Sequence, residues 1–118
     1  MSQRTFSIGG ASGFWGDSSI ALPQLLRHDG LNYISFDYLA EVTMSILARA
    51  RATDPAPGYA TALVRLLGRH WPEIAERGVK LIANAGGVNP VACADTLRAK
   101  IAEAELSLKV GVVTGDDL

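Results

Sequence analysis

Polar residues and glycines collect where each strand-like run of this 118-residue chain ends. The residues that follow the four runs are Gly10, Ser12, Gly13 and Asp17; Asp37 and Glu41; Asn84, Gly86, Gly87 and Asn89; and Thr114, Gly115, Asp116 and Asp117. The carboxyl ends of parallel strands share one edge, where open α/β sheets bind ligands, so we expect these residues to form a ligand site. The same residue types also serve as ordinary turn formers and helix caps, and that interpretation stays open.

Glycines dominate two of these loops. The first, "GGASGFWGD", fits neither the dinucleotide fingerprint, nor the P-loop, nor the nucleophile elbow. Its backbone N–H groups, at Gly10, Ser12 and Gly13, precede a predicted helix and could bind a phosphate, carboxylate or thioester oxygen. In the second, "NAGGVNP", Asn89-Pro90 is typical of a helix start, which leaves Asn84, Gly86 and Gly87 as the ligand-binding prediction.

Carboxylates are the candidate acids, bases or metal ligands. Asp37 and Glu41 stand four residues apart and share a face if a helix begins at Asp37. With Asp17, Asp116 and Asp117 they could hold Mg²⁺, which prefers oxygen ligands, or they could cap helices. We predict catalytic roles for Asp37, Glu41 and Asp116, and a ligand-binding role for Asp117.

Three other reactive side chains are predicted to be structural. Cys93 shares a helical face with Leu97 and Ile101, which favours a buried, inert thiol over a nucleophile at a helix N-terminus. His28 and His70 fall at predicted helix ends, without a second ligand at metal-binding spacing.

The elements that must position these residues alternate along the chain. Strands are predicted at 5–8, 33–36, 79–83 and 109–114. Helices are predicted through residue 26, capped by Asp17, Ser18 or Ser19, and at 39–50, 59–70, 71–77 and 90–105. This order predicts an α/β fold in one domain: a parallel β-sheet with right-handed crossover helices, Rossmann-like, in three layers. The last strand has no helix after it, so we expect an N-terminal part of a longer protein.

Composition excludes several classes of protein. The net charge is -1 and the basic residues are scattered, which argues against nucleic-acid binding. A single cysteine fits a reducing, cytoplasmic compartment. The N-terminus lacks the apolar region of a signal peptide, and no apolar run reaches the roughly 18 residues that span a membrane.

Four segments, in this order, resemble the N-terminal region of the acyclic terpene utilisation protein A family: "IGGASGFWGDS", "FDYLAEVTMSILARAR", "ANAGGVNPVACAD" and "KVGVVTGDDL". Members of that family are longer than this chain. The resemblance implies a cytoplasmic role in the bacterial breakdown of citronellol and geraniol, whose acids are processed as CoA thioesters. It carries over no catalytic residue.

Two functions are open at this point. One is an enzyme or enzyme component that acts on a branched acyl or acyl-CoA compound by hydration, lysis or hydrolysis, because no redox-cofactor motif is visible. The other is a non-catalytic domain that binds a partner subunit of a larger catabolic protein. We expect a homo-oligomer or an association with other catabolic subunits, and a CoA thioester or Mg²⁺ as the candidate bound groups.

Overall fold

A computed structural model describes residues 4–13, 19–38 and 58–115 of the chain. Three strands and four helices lie in these ranges. They are β1 (Ile8–Ser12), α1 (Ala21–Leu26), β2 (Tyr33–Phe36), α2 (Thr61–Gly68), α3 (Trp71–Arg77), β3 (Lys80–Ala83) and α4 (Pro90–Glu103). The helix predicted at 39–50 lies outside the described residues.

The strands form one parallel sheet in the order β1-β2-β3. Tyr33 of the central strand is level with Ile8 on one side and with Lys80 on the other. Each strand is joined to the next through helices, as a parallel pair requires. The predicted α/β fold with a parallel sheet and crossover helices is therefore confirmed.

Among the described residues the core lies on one face of the sheet. Gly9 and Ala11 of β1 and Ile34 and Phe36 of β2 are buried, and side chains of all four helices join the same cluster. The first helix approaches β1 closely, because a Cβ on Gly9 would come within 2.8 Å of the Leu25 side chain. On the opposite face Ile8 is 65 % exposed and Ile82 is 59 % exposed.

The ends of α3 and the start of α4 carry the residues that usually begin and end helices. Pro72 lies in the first turn of α3, and Gly78 ends it in the left-handed conformation at φ 65°, which glycine adopts at least cost. The Asn89 side chain accepts a hydrogen bond from the Ala92 backbone N–H, and Pro90 is the first residue of α4. The predicted caps of these two helices are confirmed.

Asn89 supports the first turn of α4, so its replacement by alanine should destabilise the chain. We expect Asn89→Ala to lower the free energy of unfolding by about 1 kcal/mol, the usual cost of removing an N-cap side chain. Asn89→Ser, which keeps an oxygen acceptor, should lose only a few tenths of that. Urea unfolding followed by circular dichroism checks both variants, and equal losses would contradict the capping role.

Two predicted element boundaries are wrong. The first strand runs from Ile8 to Ser12 rather than over 5–8, because its pairing with β2 begins at Ile8, whereas the Ser7 N–H donates to the Asn32 side chain. The first residues of the predicted glycine-rich loop, through Ser12, therefore belong to β1. Ser19 does not cap α1, since Ile20 holds that position and its carbonyl accepts from Gln24 N–H. Asp17 and Ser18, the other predicted caps, lie outside the described residues.

The predicted strand at 109–114 is also wrong. These residues have no strand structure, and β3 pairs with β2 alone in the described part of the chain. The segment is held to α4 instead: Arg98 Nη2 donates to the Val110 carbonyl at 2.8 Å. Val113 is 95 % exposed. An apolar, β-branched run does not form a strand unless a neighbouring strand takes its backbone groups.

Candidate functional site

The three strand ends meet at one edge of the sheet. Ser12 lies level with Phe36, and Phe36 lies level with Ala83. The backbone contacts continue one residue further, since Asp37 N–H donates to the Ser12 carbonyl at 3.2 Å and Asn84 N–H to the Phe36 carbonyl at 3.4 Å. Gly13, Asp37 and Asn84 therefore leave the sheet side by side, as the sequence predicts for the first three loops.

Asn84 joins the ends of β2 and β3. Its Nδ2 donates to Asp37 Oδ1 at 2.8 Å, and its Oδ1 accepts from the Tyr38 backbone N–H at 2.8 Å. Both ends of the amide are thus used within the protein. Asn84 fixes the Asp37 carboxylate at the edge, where Asp37 is exposed to solvent. The geometry supports a positioning role for Asn84; direct ligand binding by it stays a prediction.

Ser12 carries an unusual hydroxyl. The β1–β2 register shifts between Gly10 and Ser12, so that Ala11 and Ser12 occupy one bulge opposite β2. Bulges re-aim side chains and are common beside active sites. The Ser12 Oγ is buried and has no hydrogen-bond partner in the described residues. A buried hydroxyl without a partner costs about 1–3 kcal/mol, which gives this group a strong tendency to bind an oxygen or nitrogen atom brought to it.

The backbone geometry of the third loop explains why glycines occupy positions 86 and 87. A Cβ on Gly86 would come within 2.8 Å of Pro90 Cβ and 2.9 Å of Pro90 Cα, and Gly87 has φ 58°. The turn from β3 into α4 needs both residues for these reasons alone. Their ligand-binding role stays a prediction.

Gly10 and Gly13 differ in position. Gly10 is exposed in the middle part of β1, two residues before the strand ends, and a Cβ on it would meet no atom within 4 Å. Gly13 directly follows β1 at the edge and is exposed. Of the two, only Gly13 lies with Ser12, Asp37 and Asn84 at the ends of the strands.

Several predicted site residues lie outside the described residues, namely Asp17, Glu41, Asp116 and Asp117. Within residues 4–13, 19–38 and 58–115 no three His, Cys, Asp or Glu side chains are grouped to hold a metal ion. The predicted Mg²⁺ site depends mainly on the residues beyond those ranges. It therefore stays a prediction.

Cys93 is buried, as predicted, and 4 % exposed. Desolvation by the surrounding protein raises the pKa of its thiol, so the nucleophilic thiolate is disfavoured. His70 Nδ1 lies 3.3 Å from Glu73 Oε2, one turn along the chain at the start of α3. Both observations agree with structural roles for these side chains.

The contact between Asn84 and Asp37 joins residues 47 positions apart. The sequence placed both at the same edge but gave no sign that one would hold the other. The sequence also does not predict the burial of the Ser12 hydroxyl or the register shift beside it, since both depend on tertiary packing. A glycine pair just before Ser12 was the only local signal of irregular strand geometry.

Comparison with known proteins gives one match. The family model described as "Acyclic terpene utilisation family protein AtuA" matches residues 6–118. No curated protein matches the chain, and no solved structure matches it. Of the helices in the described residues, none combines the length and apolar content needed to cross a bilayer.

Proposed function

Since the chain belongs to the acyclic terpene utilisation family, we propose that it acts on a branched acyl or acyl-CoA compound in the catabolism of acyclic terpenoids such as citronellol and geraniol. The reaction class is hydration, lysis or hydrolysis. Asp37 serves as the general base, and Asn84 holds its carboxylate in place. The Ser12 hydroxyl donates to the carbonyl oxygen of the bound compound.

One observation carries this proposal: Asp37 is held by a 2.8 Å hydrogen bond from Asn84 at the edge where Ser12 ends β1. A carboxylate with one oxygen fixed keeps its second oxygen available for a proton. A hydroxyl donor on the adjacent strand could polarise a carbonyl group. Positioned groups of this kind contribute about 10²- to 10⁴-fold to the rate of proton transfer.

The test is made in a bacterial host whose growth on citronellol depends on this chain. Asp37→Asn keeps the shape of the side chain and the contact to Asn84 but removes the base, so growth on citronellol should be lost. Asp95→Asn is the matched control, because Asp95 is an exposed aspartate inside α4 rather than at a strand end, and it pairs with the exposed Arg98. That variant should grow normally.

A second variant tests the Ser12 hydroxyl independently of the Asp37 carboxylate. Ser12→Ala should slow growth, and its melting temperature should stay the same or rise, because the change removes a buried hydroxyl that has no partner. If Asp37→Asn and Ser12→Ala both grow like the unaltered strain while the proteins are present at normal levels, the catalytic proposal is wrong.

The second candidate function is a non-catalytic domain that binds a partner subunit. The observation that favours it is the exposure of Phe6, Ile8 and Ile82, the last two on the sheet face opposite Ile34. Isolated exposed apolar residues are common, but grouped ones mark interaction surfaces. Thermal unfolding separates the two candidates: a CoA thioester such as isovaleryl-CoA should raise the melting temperature if the chain binds substrate, and leave it unchanged if it only binds a partner.

The proposal also includes four more specific expectations about location, fold, assembly and bound ions. They are a cytoplasmic location, a Rossmann-like sheet in three layers, self-association or association with other catabolic subunits, and Mg²⁺ as a possible bound ion. The parallel strands of the described sheet support the fold expectation. The acyl-CoA substrate class follows from the family's association with terpenoid acids.

A further inference from the structure

The outer edge of β3 offers backbone groups that no described strand takes up. The N–H groups of Lys80 and Asn84 donate to carbonyl groups just before β2 and at its end, at 3.1 and 3.4 Å. Backbone groups along a strand point alternately to its two sides, so Leu81 and Ala83 direct their N–H and C=O groups away from β2. In the described part of the chain β3 pairs with β2 alone, which leaves these four groups without a strand partner there.

The spacing of these groups matches a second copy of the same strand. When two β3 strands run antiparallel about a two-fold axis at Ile82, Leu81 of each copy faces Ala83 of the other. Each such pair exchanges two hydrogen bonds in an antiparallel ladder. The two Ile82 residues then form the pair without hydrogen bonds, with Cα atoms about 4.5 Å apart. Ile82 is 59 % exposed in the single chain, and contact with Ile82 of the second copy covers part of that apolar surface.

The same register brings opposite charges together. Lys80 lies opposite Asn84 of the second copy, because Leu81 lies opposite Ala83. Asn84 holds the exposed Asp37 carboxylate through a 2.8 Å hydrogen bond. Neighbouring strands lie about 4.8 Å apart, and the flexible four-carbon stem of lysine spans that distance. Within the described ranges Lys80 forms no ion pair, and its Nζ lies 6.0 Å from the centre of the Tyr33 ring.

We propose that two copies of this chain pair through β3, antiparallel about Ile82, to form one continuous sheet. Lys80 of each copy then approaches Asp37 of the other, so each carboxyl edge includes a cation from the second copy. Strand edges with free backbone groups readily pair with another chain, and a contact that uses the same surface twice closes at two copies. The pairing specifies the self-association expected above, and it holds whether or not Asp37 acts as a base.

Sedimentation of the unaltered chain tests the pairing. Between about 1 and 500 µM it should show a monomer–dimer equilibrium with a Kd on the order of 10 µM, since a contact built on one short edge is small. A chain that stays monomeric, with the Leu81 and Ala83 amides protected from hydrogen exchange, would place a segment of the same chain on this edge. A monomer at every concentration, with or without that protection, would overturn the proposal.

Two glutamate variants locate the contact. Ile82→Glu places two carboxylates directly opposite each other at the axis, so the Kd should rise at least about tenfold. Ile8→Glu is the matched control, because Ile8 is 65 % exposed on the same face of the sheet but belongs to β1. Its Kd should not change. Equal effects of the two replacements would contradict pairing at β3.

Charge reversal tests the contact between Lys80 and Asp37. Lys80→Glu and Asp37→Lys should each weaken the dimer by about fivefold, and the two changes together should restore most of the affinity. A double variant as weak as the single ones would contradict the ion pair. Self-association is measured here without substrate, so its failure would leave the proposed function of Asp37 untouched.

A cysteine at the axis tests the register directly. Ile82→Cys should form a disulfide between copies when treated with oxidised glutathione, because Cα atoms about 4.5 Å apart lie within the range that a disulfide bridges. Ile8→Cys should remain largely unlinked under the same conditions. Cys93 is 4 % exposed, so it does not compete in either variant. Equally rapid linking of the two variants would overturn the proposed register.

Discussion

Replacement of Ile34 by alanine is expected to lower the free energy of unfolding by about 2–5 kcal/mol, the range found when a large buried aliphatic side chain is truncated. Ile34 is 0 % exposed and lies in the central strand, between Gly9 of β1 and Leu81 of β3. The loss combines the lost burial of three carbon atoms with the cavity that remains. Since small domains have only about 5–15 kcal/mol of stability, this change removes a large part of it.

Ile82→Ala is the matched control for this prediction. It makes the same chemical change in the adjacent strand, but Ile82 is 59 % exposed and lies on the opposite face of the sheet. The expected loss is under about 1 kcal/mol, because most of the side chain stays in water in the folded protein. Urea unfolding of both variants gives the comparison. Similar losses from the two replacements would show that the core is not confined to the face that contains Ile34.

Replacement of Gly86 by alanine is expected to cost about 1–3 kcal/mol, the range for a methyl group forced into a filled space. The new Cβ would lie 2.8 Å from Pro90 Cβ and 2.9 Å from Pro90 Cα. Neither atom can move freely, because one belongs to the proline ring and the other to the backbone. Pro90 is also the first residue of α4. The whole start of α4 must therefore move to relieve the contact.

Gly10→Ala is the control, and its expected effect has the opposite sign. A Cβ on Gly10 meets no atom within 4 Å, and Gly10 is not among the glycines with positive φ. Alanine at such a position restricts the unfolded chain and raises stability by about 0.4–1 kcal/mol. Differential scanning calorimetry of both variants checks the pair. A destabilised Gly10→Ala beside a neutral Gly86→Ala would mean that the third loop is more adaptable than its packing indicates.

These two glycines also show how far pattern reasoning reaches. Both were predicted to bind a ligand, on the basis that each stands near the end of a strand. The structure gives Gly86 a steric requirement that depends on Pro90, four residues later, and places Gly10 in open space. Spacing alone does not distinguish a glycine required by a close approach from one that leaves a surface open.

The sequence predicts the position of the strand ends better than it predicts the roles of these glycines. Apolar runs of strand length, separated by helical spacing, predict parallel strands, and parallel strands place their ends together. The sequence therefore predicts that Asp37 and Asn84 lie at the same edge of the sheet, and they do. Their 2.8 Å contact depends in addition on β2 and β3 being adjacent strands, which the pattern does not specify.

At 109–114, in contrast, the sequence pattern predicts a strand that the structure does not contain. This short run of apolar, β-branched residues is typical of a strand, yet strand formation depends on a partner that the pattern does not specify. In the structure its backbone is tied to Arg98 on α4 rather than to β3. The ion pair between Asp29 and Arg77 was equally hidden, because its two partners lie 48 residues apart.

The sequence by itself determined the elements whose signals are local: the strand at Tyr33–Phe36, the ends of α3 at Pro72 and Gly78, the Asn89 cap, and the α/β class. These depend on backbone preferences and on hydrogen bonds within a few residues. Only the tertiary structure decided which face of the sheet is buried, that the Ser12 hydroxyl is buried, and that Asn84 holds Asp37. Such features depend on contacts between residues far apart in the chain, whose pairing is set by packing rather than by local propensity.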